Sequence, residues 1–120
     1  MPAMKDLFKL TGRASPLSWE EGLGILERDR FRCQYCGLDG MANFENSLVM
    51  SVDFIMPRAR KGKKDPSNLV AACRACNVLK GNRVFAGFED AKAYVMKRRA
   101  DLRQDWETRM KQLQRATSTA

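Results

Sequence analysis

Cys33 and Cys36 are separated by two residues, and so are Cys73 and Cys76. A Cys-x-x-Cys turn points two thiolates at one ion, and two such turns complete a tetrahedral site that suits zinc, at a Zn–S distance of about 2.3 Å. Four thiolates leave no open position for a substrate, so the expected role of such a site is to fold the chain. Four free or buried cysteines are the plain alternative, but two close pairs favour a metal. An iron–sulfur cluster would use the same ligands, although knuckles around a hairpin suit zinc better. A thioredoxin-type redox role needs only one pair. The chain has no histidine. Any metal site therefore rests on Cys, Asp, Glu, Asn or backbone ligands, and any general base has to be something else.

The knuckles need elements to hold them. Ser18 and Glu21 have the S-x-x-E spacing of a capping box, which predicts a helix starting at Ser18. Trp19, Leu23, Leu26 and Phe31 lie near helical spacing and are expected to face a core, while Gly22 and Gly24 weaken the helix. Residues 38–46 carry Gly40, Asn43 and Asn46 and predict a loop. Ser47 to Met56, ended by Pro57, predicts a strand, and Asn68 to Ala72 a second one. Together they suggest an antiparallel hairpin between the two cysteine pairs. A short helix is expected from Asn77 to Asn82. From Glu89 to Arg115, the residues Val95, Leu102, Trp106, Met110 and Leu113 recur at intervals of seven, four, four and three, which predicts a long amphipathic helix docked by that stripe.

The division expected from this pattern is an arm (residues 1–16), a domain with its leading helix (17–88) and a basic helix with a short tail (89–120). Leu7, Phe8 and Leu10 of the arm could dock on the domain. A chain of 120 residues, 44% hydrophobic, suffices for one small domain, and a structural metal would help one of that size to fold. The 22 basic residues outnumber the 14 acidic ones, giving a net charge of +8. That excess favours an anionic partner, nucleic acid first, over a merely soluble basic surface. The N-terminus has no signal-peptide core. The longest apolar runs, such as Leu69 to Cys73, fall far short of the roughly twenty residues a membrane span needs. The expected location is intracellular, where close cysteine pairs hold metal more often than they form disulfides.

The stretches RFRCQYCG and SVDFIMPRARKGKKDPSNLVAACRACNVLKGNR carry a further pattern. A knuckle is followed by a strand with an aspartate, then proline, a basic glycine-containing loop, Asn-Leu-Val, a second knuckle and Asn-x-x-Lys-Gly. Over residues 32–83 the chain resembles the HNH nucleases of the zinc-bound type, a likeness covering about half its length. The resemblance implies an α+β fold of the ββα-metal class. It implies that Asp53 and Asn77 hold a catalytic Mg²⁺ or Mn²⁺, and that Asn68 orients the loop or the catalytic histidine. The histidine that deprotonates water follows the aspartate in that family, and here its position is Phe54.

Phosphodiester hydrolysis needs an activated water and stabilisation of the charge that develops on the phosphate. Imidazole suits the first task because its pKa lies near neutrality. Phenylalanine neither accepts a proton nor binds a metal. General-base catalysis contributes roughly 10²–10⁴-fold, so hydrolysis is expected to be lost or crippled, leaving a nucleic-acid-binding pseudoenzyme. Two alternatives remain: a non-catalytic zinc module that binds nucleic acid or protein, and an active nuclease with a substitute base. Lys61, Lys63, Lys64 or Lys80 would need a strongly lowered pKa to act as that base. Val52, Phe54 and Met56 share one strand face, so Phe54 can equally be a packing residue. Asp53 can equally be an exposed carboxylate or a partner of Arg58, and Asn77 a helix cap. Arg58, Arg60, Lys61, Lys63, Lys64, Arg74, Lys80 and Arg83 are the candidate contacts to nucleic acid, expected to be DNA. Such contacts position a phosphate backbone and carry little sequence information.

Overall fold

The computed structural model describes residues 17–118. The expected arm, with Leu7, Phe8 and Leu10, lies outside the described residues. Helix α1 spans Trp19–Arg28 and starts at the expected capping box. Ser18 Oγ accepts from the Glu21 N–H at 3.1 Å, and Glu21 Oε1 accepts from the Ser18 N–H at 2.9 Å. Its buried positions are Gly22, Ile25 and Leu26, so Leu26 faces the core as expected while Trp19 and Leu23 are only half-buried. At the C-terminal end of α1, Asp29 Oδ2 accepts from the Ala71 N–H at 2.8 Å. Arg28 Nη2 donates to the Leu69 carbonyl at 2.6 Å. These two bonds fix α1 to the second strand.

Residues 38–46 are not all loop. A short helix, α2, spans Phe44–Leu48, capped by Asn43, whose side chain accepts from the Asn46 N–H. The first strand accordingly starts later than its β-rich sequence suggests. Strand β1 is Met50–Phe54 and β2 is Leu69–Cys73. They pair antiparallel, from Met50 opposite Cys73 to Phe54 opposite Leu69. This is the hairpin expected between the knuckles. The connection contains two short 3₁₀ turns, Arg58–Arg60 and Pro66–Asn68.

Helix α3 runs Arg74–Lys80 directly out of β2, with Cys73 as its N-cap. It starts three residues before the expected boundary, so Asn77 lies inside the helix and is not its cap. The core gathers Leu26, Tyr35, Met50, Ala71, Ala91 and Val95 around the four cysteines. A smaller cluster of Leu17, Ile25 and Leu69, with Val52 and Phe54 packed on it, fills the space between α1 and the hairpin.

Helix α4 is Phe88–Ser118, 31 residues, a length of about 46 Å at 1.5 Å per residue. The docked stripe expected along it is only partly found. Ala91 and Val95 are buried, but Leu102, Trp106 and Leu113 are exposed. The helix outruns the body it packs on. Three i,i+4 ion pairs, Lys97–Asp101, Arg103–Glu107 and Arg109–Asp105, support its exposed part. Among the described residues, no helix is long and apolar enough to cross a membrane.

Candidate functional site

The first knuckle is built by backbone bonds. The Cys33 N–H donates to the Leu38 carbonyl and the Gly37 N–H to the Cys33 carbonyl, both at 2.9 Å. Gly37 has φ +82°, a conformation that favours glycine. The Gln34 N–H reaches the Ala71 carbonyl at 2.9 Å and so fastens the knuckle to β2. The second knuckle is the start of α3. Cys73 caps it and Cys76 lies in its first turn.

These two devices bring all four sulfurs within 4.8 Å of one another. All four cysteines are free of disulfides, and Cys36 Sγ lies 3.8 Å from Cys73 Sγ. Four sulfurs at about 2.3 Å from a central ion stand about 3.8 Å apart at tetrahedral angles, so the donor set and the spacing fit a tetrahedral metal of the zinc kind. The electrostatics agree. Hydrogen bonds from the Cys73 and Cys76 thiols pull Cys33 well below the ordinary thiol range. The same sharing with Cys33 pushes Cys73 up to about 11 and Cys76 far above it. Four thiols packed together cannot all ionise unless a cation joins them.

On the α3 side of the hairpin lies a second buried charge. Asp53 is 4% exposed and Lys80 is fully buried. Lys80 Nζ lies 3.5 Å from Asp53 Oδ1 and donates to the Phe54 carbonyl at 2.8 Å. The Tyr35 hydroxyl donates to the other Asp53 oxygen at 2.5 Å. Burial pushes the Asp53 carboxyl above the usual range, opposed by the Tyr35 hydrogen bond and the Lys80 charge. Burial and then the Asp53 charge hold the Tyr35 hydroxyl well above its ordinary value.

Asp53 is therefore neither an exposed carboxylate nor a partner of Arg58, and neither of its oxygens lacks a donor. Asn77, on α3 with Lys80, donates from Nδ2 to Ser51 Oγ at 3.3 Å. Phe54 lies half-buried in the apolar cluster with Leu17, Ile25 and Leu69.

Asn68 closes the basic loop. Its Oδ1 accepts from the Met56 N–H at 2.8 Å, and its Nδ2 donates to the Met56 and Lys63 carbonyls at 3.2 and 3.0 Å. Gly62 permits the tight path, because a Cβ there would stand 1.8 Å from the Met56 carbonyl oxygen. The loop displays Arg58, Arg60, Lys61, Lys63 and Lys64, all exposed. Lys64 is bonded to Glu21 at 3.2 Å. Arg74 is exposed, and Arg83 lies over the Tyr94 ring, 4.9 Å from its centroid. Lys80 is a correction to the expected surface: a fully buried ammonium bonded to Asp53 and the Phe54 carbonyl cannot reach a phosphate. Tyr35 and Arg99, which touches the Cys76 sulfur, were not expected at either centre.

An antiparallel hairpin running into a helix, with four clustered cysteines at its base, defines an α+β chain of the ββα-metal class. Residues 33–83 match the model of the HNH endonuclease family, and the clustered cysteines fit its zinc-bound type. A 62-residue stretch is 42% identical to the CRISPR-associated endonuclease Cas9 of Corynebacterium diphtheriae. The match covers 51% of this chain and 5% of that protein. No solved structure matches the chain.

Proposed function

We propose that this chain is a nucleic-acid-binding member of the HNH family in which phosphodiester cleavage is lost. Its four cysteines hold one structural zinc, which supplies the cross-link between the knuckles. The family match and the Cas9 likeness support a nucleic-acid partner. The five loop cations, steadied by Asn68, are the proposed contact to a DNA backbone, with Arg74 beside the second knuckle.

One observation carries the loss of cleavage. Asp53 is sealed between Tyr35 and Lys80 while Phe54 packs among apolar side chains. A divalent ion at Asp53 needs a free carboxylate oxygen and room for its waters. Here both oxygens have donors, and a buried ammonium already supplies the positive charge. Asp53 with Asn77 therefore does not fit a catalytic Mg²⁺ or Mn²⁺ in this arrangement. Lys80 is equally unsuited as a substitute base, because its ammonium is committed to Asp53 and the Phe54 carbonyl.

Fluorescence anisotropy with duplex DNA and nicking of supercoiled plasmid test the proposal together. The expected result is binding whose log–log salt slope falls by about 0.9 for each phosphate-contacting loop cation replaced by glutamine. No nicking is expected with Mg²⁺ or Mn²⁺. Metal-dependent nicking by the native chain would overturn the claim of lost cleavage. A gain of cleavage by Phe54→His would show that the missing base was the sole defect, and that Asp53 opens to metal after all.

A further inference from the structure

We infer that Arg99 is a positioning residue of the sulfur centre: its guanidinium binds the Cys76 sulfur, offsets the surplus negative charge there and slows release of the metal. The inference rests on the reading that the four cysteines hold zinc. Arg99 Nη1 donates to Cys76 Sγ at 3.6 Å, from the half-buried side of α4. Val95, one turn earlier on the same face of α4, is fully buried, so this part of the helix is held against the body.

The other cations of the helix behave differently. Lys97, Arg103 and Arg109 each have a carboxylate four residues away. Four residues before and after Arg99 stand Val95 and Arg103, neither able to pair with it. Among the described residues, no carboxylate forms an ion pair with Arg99, and its bonded partner is sulfur.

The charge balance gives this contact a purpose. Four thiolates around a divalent cation leave roughly two negative charges in excess. That excess lies in a core of apolar side chains, where an uncompensated charge is expensive and a charge-assisted hydrogen bond is strengthened. Cys33 Sγ receives a backbone donor, the Cys36 N–H at 3.5 Å. Cys76 Sγ receives the guanidinium. Outer partners of metal ligands orient the ligand and tune its hold on the ion. The same contact ties α4 to the sulfur centre.

The test measures zinc transfer from the purified chain to a chromogenic chelator. Native protein is compared with Arg99→Gln, Arg99→Lys and, as a control on the exposed helix, Arg103→Gln. Arg99→Gln is expected to release zinc faster, on the order of the 10–100-fold by which loss of an outer partner typically weakens metal affinity. Arg99→Lys should fall between it and native, and Arg103→Gln should match native. Cobalt substitution gives a second readout: the sulfur-to-cobalt charge-transfer band should shift in Arg99→Gln and return towards native in Arg99→Lys. A merely packing role for the arginine stem would leave that band in place. Equal release rates with unchanged bands would overturn the role of Arg99. A native chain that never retains zinc would instead defeat the underlying reading of the sulfur centre.

Discussion

Two buried charge centres flank the hairpin, and they solve the same electrostatic problem in opposite ways. At one end four cysteines converge, every one of them an acid. No arrangement of their protons leaves four thiolates together, so the centre reaches its ionised form only by taking a cation from outside. On the α3 face, Asp53 is as deeply buried but brings its own cation, Lys80, and its own hydroxyl donor, Tyr35. The first arrangement calls for a metal; the second leaves none to be called for. A buried carboxylate beside a metal-type cysteine cluster is thus no evidence of a second ion. What decides is whether its charge is already answered.

The contrast sets the order of effects. Apart from the four cysteines themselves, the largest effect of a single substitution is expected at the carboxylate centre. Asp53→Asn or Lys80→Met leaves the other group charged and unpaired in the core, and each should lower unfolding free energy by about 3–5 kcal/mol. Replacing both, as Asp53→Asn with Lys80→Met, should recover part of that loss, because neither charge is then buried alone and the asparagine oxygen still accepts from Tyr35. Denaturant titration of the four proteins reads the cycle. If the double variant is as unstable as the sum of the singles, the two residues do not form one unit.

A smaller effect is expected outside both centres, at the α1 cap. Glu21 is held below its ordinary value, first by the Ser18 N–H and then by Lys64. A carboxylate whose folded pKa is depressed adds stability that is fully present above its unfolded value and lost as pH falls through the folded one. Native protein should therefore exceed Glu21→Gln in melting temperature at neutral pH, and the gap should close on acidification below the ordinary carboxylate range. A gap that persists there would remove the charge as its cause.

The sulfur centre was legible in the sequence because its signal is local: each pair spans one turn, and the hairpin between the pairs needs only alternation and a proline. The capping box at Ser18 is local in the same sense. The carboxylate centre was not legible. Tyr35 and Lys80 stand 18 and 27 residues from Asp53, and no spacing rule links them. Lys80 reads as one more surface cation of a basic segment until the fold turns it inward. Arg99 stands 23 residues from Cys76 and is masked by Arg98 beside it. The short helix α2 was hidden in a run rich in asparagine, although Asn43, as its cap, was the available sign. The α4 stripe has the period of a docked helix, but periodicity does not say how far the partner surface extends.

The most direct measurement is a metal count by native mass spectrometry, on the chain purified without chelator and then titrated with Mn²⁺. The account predicts one zinc per chain held through exchange, no second divalent ion retained, and loss of the folded charge-state distribution once the zinc is stripped. A chain that stays folded without zinc, or that takes up a manganese ion lost on Asp53→Asn, would contradict it.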